Sequence, residues 1–99
     1  MADGKVTVLA RIQAKAGMEE TVKQELLALV AATRAEEGCI NYDLHQSSQD
    51  PALFLFYENW ASREALDQHS RSSQIQAWRA QAGDLLAAPT EVTLWEMIS

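Results

Sequence analysis

The run Tyr57-Glu58-Asn59-Trp60 sets two hydrogen-bonding side chains and an indole where an apolar segment ends. His69, Trp78 and Arg79 follow in the next stretch of chain. Apolar and aromatic walls with a few polar anchors are the usual make-up of a small-molecule pocket. In such a pocket the polar members can move a proton or donate to developing negative charge. Other readings of these residues stand beside this one. Trp60 and Trp78 also suit a core, Glu58 also suits an ion pair with Arg11 or Arg63, and His69 near a helix end also suits a dipole-stabilised surface position.

Other chemistries lack their residues. The four glycines, Gly4, Gly17, Gly38 and Gly83, form neither GxGxxG nor GxxxxGK, so no phosphate-cradling loop is expected. Cys39, His45 and His69 are the only soft or borderline metal ligands, and no two have helical or hairpin ligand spacing. No metal site is expected. No nucleophile-elbow motif surrounds any serine.

The elements that position these residues follow from periodicity. Val6 to Ile12 alternates, with Val6, Val8, Ala10 and Ile12 set against Thr7 and Arg11, and predicts a strand. From Met18 the period changes: Met18, Val22, Leu26, Leu29, Val30 and Thr33 form the stripe of an amphipathic helix ending near Gly38, a residue suited to a left-handed cap. Cys39 to His45 alternates again and puts Ile40, Tyr42 and Leu44 on one face. The polar stretch from Gln46 to Pro51 is a turn. Leu53 to Tyr57 is apolar without alternation, which fits a strand buried on both faces or a short buried helix, and the aromatic content and the closeness of Pro51 favour the strand. Ser62 opens a short helix reaching about His69. Ser73, with Gln76 at capping-box spacing, opens another, striped by Ile75, Trp78, Ala82 and Leu85 and ended by Pro89. Val92 to Ile98 predicts a last strand.

Two β-α-β halves without a linker describe a single domain, residues 1–99, of the ferredoxin-like α+β sandwich class: a four-stranded antiparallel sheet with helices on one face. An element apolar on both faces then needs a second cover, and a homodimer stacked sheet to sheet supplies one. With 14 acidic against 8 basic residues and a net charge of −6, no nucleic acid or anionic membrane partner is expected. The basic residues are scattered singly. The stretch MADGKVTVLARI is neither a signal peptide nor a transit sequence, and the lone Cys39 fits a reducing compartment, so a cytoplasmic location is expected.

Across essentially its whole length the chain resembles the antibiotic biosynthesis monooxygenase family, small dimeric α+β barrel proteins. The segments that carry the resemblance are VTVLARIQAKAGMEE, TRAEEGCINYDLHQSSQDP, LFYENWASREALDQH and PTEVTLWEMI. Ala16 departs from a proline common before the first-helix glycine. The resemblance implies two subunits packed sheet to sheet and oxygenation of a small aromatic quinol, phenol or anthrone by O2 without metal, flavin or haem. An electron-rich anion can itself pass an electron to O2, so no cofactor is expected.

Carried onto these positions, the resemblance implies Trp60 and Tyr57 as pocket walls, Asn59 as an oxyanion donor and His69 as the base. His69 suits that task because its ordinary pKa lies nearest neutrality. Tyr42 and His45 are secondary candidates, and Glu58 and Trp78 further substrate contacts. Strand alternation sets Tyr42 against His45, and Tyr57 and Asn59 against Glu58 and Trp60, so one regular sheet face cannot hold them all. Haem-degrading relatives carry Asn, Trp and His where this chain has Ala10, His69 and Arg79, which argues against haem degradation. An isomerase or tautomerase using the same pocket, and a non-catalytic small-molecule-binding dimer, are the alternatives.

Overall fold

The computed structural model describes residues 4–99. Residues Met1–Asp3 of the stretch read above for targeting signals lie outside the described residues. The element order is β1 (Val6–Gln13), α1 (Glu19–Arg34), β2 (Cys39–Gln46), β3 (Leu53–Trp60), α2 (Arg63–Ser70), α3 (Ser73–Leu85) and β4 (Glu91–Trp95). The strands form one antiparallel sheet in the order β2-β3-β1-β4, with the second helical segment of the ferredoxin-like pattern split into α2 and α3.

Alternation decides which side chains meet the helices. On the inner face, cross-strand rows run Leu44–Phe56–Ala10–Val92 and Tyr42–Glu58–Val8–Leu94. Phe54, Phe56, Val8, Ile12 and Trp60 are buried there with Val22, Leu26, Leu29 and Val30 of α1. On the outer face the rows are Asp43–Tyr57–Leu9–Thr93 and Asn41–Asn59–Thr7–Trp95. The apolar β3 is therefore divided: Phe54 and Phe56 are buried within the chain, whereas Leu53 and Leu55 are half-buried and Tyr57 is exposed on the opposite face.

Four local expectations need correcting. A bulge between Cys39 and Asn41 turns Ile40 outward, so it is 56% exposed while Tyr42 and Leu44 keep the inner face. An extra residue in one strand of a pair shifts the alternation of what lies before it. α1 stops at Arg34, and Gly38 takes φ +87° in the connection beyond, not as the immediate cap. The cap of α3 is Ser72 rather than Ser73, its hydroxyl accepting from the Ile75 N–H. β4 ends at Trp95, leaving Met97 and Ile98 exposed beyond the sheet. Ser62 caps α2 as expected, accepting from the Ala65 N–H at 3.1 Å.

Gly38 matters for the site. A Cβ there would lie 2.5 Å from that of Ala65, and its backbone is in the left-handed region that side chains rarely adopt. Glycine thus lets the α1–β2 connection lie against α2. The Ala61 N–H donates to the Gly38 carbonyl at 2.8 Å and holds the two together.

Candidate active site

Between the inner sheet face and the helices lies a cavity of about 330 Å³. Its floor is Val8, Ala10, Ile12, Tyr42, Phe56 and Glu58 of the sheet, and its roof comes from Leu66, His69, Ile75, Trp78 and Ala82 of α2 and α3. Exposed Arg79 and Val92 stand at the open side, where β4 extends beyond the helices. The lining is mostly apolar, so the few polar groups define the chemistry.

His69 is 6% exposed, near the end of α2, with its ring against two aromatic neighbours. The ring centroid lies 4.6 Å from that of Trp60 and 5.4 Å from that of Tyr42. Its Nδ1 meets Glu36 Oε1 at 3.1 Å. A carboxylate only accepts, so Nδ1 carries the proton and Nε2 keeps a lone pair in the neutral ring. No protein group bonds to Nε2. Burial is the main influence on the ring and holds its pKa below the usual histidine value, against the opposing pull of Glu36, so the imidazole is neutral at pH 7. Glu36 is held in turn by Gln74 of α3, whose Nε2 donates to its Oε2.

Glu58 is the second titratable group on the floor, 4% exposed. Its Oε1 accepts from the Trp60 indole N–H at 2.9 Å, and Oε2 has no protein partner. Burial drives its pKa up to about 7, the indole hydrogen bond opposing. Tyr42, its cross-strand neighbour, is pushed well above the usual phenol range, again mainly by burial, and stays protonated. Neither Arg11 nor Arg63 pairs with Glu58: Arg63 bridges Asp67, and Arg11 lies on the other sheet face.

The structure thus brings together at one cavity His69, Glu58, Tyr42 and Trp78. Trp60 does not line it but is fully buried behind, fastening Glu58 and packing its tilted ring against His69. Three named residues lie elsewhere, and alternation is the reason. Asn59 points to the outer face, where its amide accepts from Thr7 Oγ1 at 2.5 Å and donates to Asn41 Oδ1 at 2.9 Å. Those bonds leave no role at the inner cavity. Tyr57 is exposed on that same outer face, and His45 edges a separate depression with Arg11, Leu53 and Leu55.

Glu36 was not foreseen as a site residue. It lies in a connection 33 positions from His69, with no periodicity to mark it. Among the described residues no group of three or more His, Cys, Asp and Glu is placed to hold a metal ion, and no helix is long and apolar enough to cross a membrane.

The family model for antibiotic biosynthesis monooxygenases matches residues 5–81. The chain belongs to that family. A relative from Mycobacterium tuberculosis, named "Putative monooxygenase Rv0793", is 40% identical over 89 residues, covering 90% of this chain and 87% of that protein. Its solved structure superposes with a TM-score of 0.90 at 35% identity over 96% of both chains. "Putative monooxygenase YcnE" of Bacillus subtilis is 30% identical over 92 residues, 93% of this chain and 97% of its own. The crystal structure of PA3566 from Pseudomonas aeruginosa gives a TM-score of 0.93 at 32% identity, covering 100% of this chain and 99% of that one. The family is thus named for monooxygenases, two of these relatives carry the name "Putative monooxygenase", and this member shares the fold of the solved structures throughout.

Proposed function

We propose that this protein is a monooxygenase that oxidises a small quinol- or phenol-like aromatic with O2, the substrate itself supplying the electrons. The observation that carries the reading is His69, neutral and backed by Glu36, with Nε2 free at an apolar cavity. The cavity, about 330 Å³, is roughly twice the ~150 Å³ that accommodates a benzene, so one or two fused rings fit. His69 Nε2 takes the phenol proton, and Glu36 stabilises the imidazolium that results. The electron-rich anion passes one electron to O2, and the two radicals join at a ring carbon as a peroxide. The imidazolium returns its proton to the outer peroxide oxygen. Loss of water, with the hydrogen of that carbon, leaves a quinone: phenol plus O2 gives quinone plus H2O, with atoms and electrons balanced.

The test is O2 uptake with a panel of naphthols, hydroquinones and anthrone in the presence of a chelator. One O2 consumed per quinone formed is expected. No protein-dependent uptake with any member overturns the reading, and turnover that persists without O2 assigns an isomerase or tautomerase instead.

The working unit in this proposal is a homodimer stacked through the outer sheet face. Half-buried Leu9 and Leu55, exposed Tyr57 and Trp95 at 55% exposure give that face the apolar character of a covered surface. Sedimentation equilibrium is expected to give twice the chain mass of 11.0 kDa. A single-chain mass at micromolar concentration overturns the dimer. A cytoplasmic setting accompanies this proposal, in keeping with one free, partly buried Cys39.

A further inference from the structure

We infer that Glu58 is a second proton-transfer group of this cavity, removing the ring C–H proton after His69 has taken the phenol O–H, and that the substrate is a phenol bearing a hydrogen on the carbon to be oxygenated. The inference rests on the monooxygenase reading above. That reaction removes two hydrogens from the substrate, one from oxygen and one from carbon. When the two positions are para they lie at opposite ends of a ring, beyond the ~3 Å hydrogen-bond reach of one base. The structure sets two bases on different walls, His69 in the helical roof and Glu58 in the sheet floor.

The one structural contact of the Glu58 carboxyl is with the buried Trp60 indole N–H, and the neutral amide of a glutamine would fill it as well. On the same face of β3, Phe54 and Phe56 hold the preceding positions, and an apolar residue at 58 would extend their packing. The described ion pairs join Arg34 to Asp43, Arg63 to Asp67 and His69 to Glu36, and Glu58 is in none of them. Its only hydrogen bond comes from Trp60, which pins Oε1 and leaves Oε2 unbonded. The titratable and charged groups around it are Tyr42 and Cys39 of β2, His69 of α2, Arg79 of α3 and, behind His69, Glu36. Of these Arg79 is the one fixed cation. It is exposed, and its Nη1 donates to the Ser70 carbonyl at 2.9 Å. A carboxylate kept in an apolar wall without a cation is costly, and such groups concentrate at functional sites. With its pKa raised to about 7 by burial, it can accept and release a proton near neutrality.

In the step assigned to Glu58, Oε2 takes the proton from the carbon that carries the hydroperoxide. The C–H electron pair becomes the second bond of the new carbonyl. The O–O bond breaks, the departing hydroxide takes the proton from Glu58, and water leaves. His69 and Glu58 both end as they began.

The experiment compares wild type with Glu58→Gln, Glu58→Asp and His69→Ala. The substrate is the panel phenol oxidised fastest, with and without deuterium on the oxygenated carbon. Glu58→Gln is expected to lower kcat by about 10²–10⁴-fold. It should also expose a primary deuterium isotope effect and remove the acid limb of the pH profile near 7. Glu58→Asp should restore part of the rate. Without O2, bound 4-nitrophenol should still ionise in Glu58→Gln, as seen in its absorbance, but not in His69→Ala. A Glu58→Gln enzyme within twofold of wild type, with no isotope effect, overturns the inference and leaves the monooxygenase reading intact. Failure of Glu58→Gln to ionise 4-nitrophenol also overturns it, because Glu58 would then be the first base. A wild-type enzyme inactive toward the whole panel overturns both.

Discussion

Replacing His69 with alanine is expected to lower kcat/KM for the phenol substrate by about 10²–10⁴-fold, the usual worth of a positioned general base. The ring is the group at the cavity with a free lone pair, a neutral form at pH 7 and a carboxylate behind it to stabilise the charge it acquires. Without it, the phenol loses its positioned proton acceptor. Glu36→Gln keeps a hydrogen-bond acceptor for Nδ1 but removes the charge, so a smaller loss is expected. Because the base acts deprotonated, activity falls as the pH drops through the titration of the cavity groups. Glu58 sets that limb near pH 7 in the wild type, and His69 sets it below its ordinary value once Glu58 is glutamine. Steady-state kinetics between pH 5 and 9, on proteins whose circular dichroism is native, provide the check; a His69→Ala enzyme with wild-type kcat/KM would remove the base from the mechanism.

Glu58→Gln is expected to make the folded protein more stable at pH 8, by up to about 3 kcal/mol, while lowering its activity. The carboxyl titrates at its ordinary value of 4.5 when unfolded and at about 7 when folded. Between those values the folded chain holds a proton that the unfolded chain has released. Stability therefore falls as the pH rises through this window, and the loss is complete above about 7. Glutamine stays neutral throughout and can still accept from the Trp60 indole. Urea unfolding should show wild type and variant close together at pH 4, where both side chains are neutral, and separated at pH 8. Coincident curves at pH 8 would mean that Glu58 is well solvated after all. A gain in stability from removing a site residue is what a carboxylate retained for function predicts.

Much of the site's arrangement was legible in the strands. The parity of β3 separates Glu58 and Trp60 from Tyr57 and Asn59, and that of β2 separates Tyr42 from His45; the structure places each pair on the expected opposite faces. The aromatic residues were harder to read. Trp60 and Trp78 look equivalent in the sequence, yet Trp60 is a fully buried support and Trp78 lines the cavity. The bulge at Ile40 was also hidden, because apolar alternation continues through it.

What the sequence by itself determined was the order of elements, the faces of the strands outside the bulge at Ile40, and the family, because pleat and helix periodicity are local properties of the chain. What only the tertiary structure decided was which polar groups share a cavity. Glu36 meets His69 because Gly38 lets its connection lie against α2, and Glu58 has no ion-pair partner because Arg63 bridges Asp67, Arg11 lies on the other sheet face and Arg79 donates to the Ser70 carbonyl. A pKa near 7 for a glutamate, or a histidine held neutral with one nitrogen free, depends on solvent exclusion and on distances between residues far apart in the chain. No run of neighbouring residues encodes those distances, so the chemistry emerges only when the sheet and helices close around it.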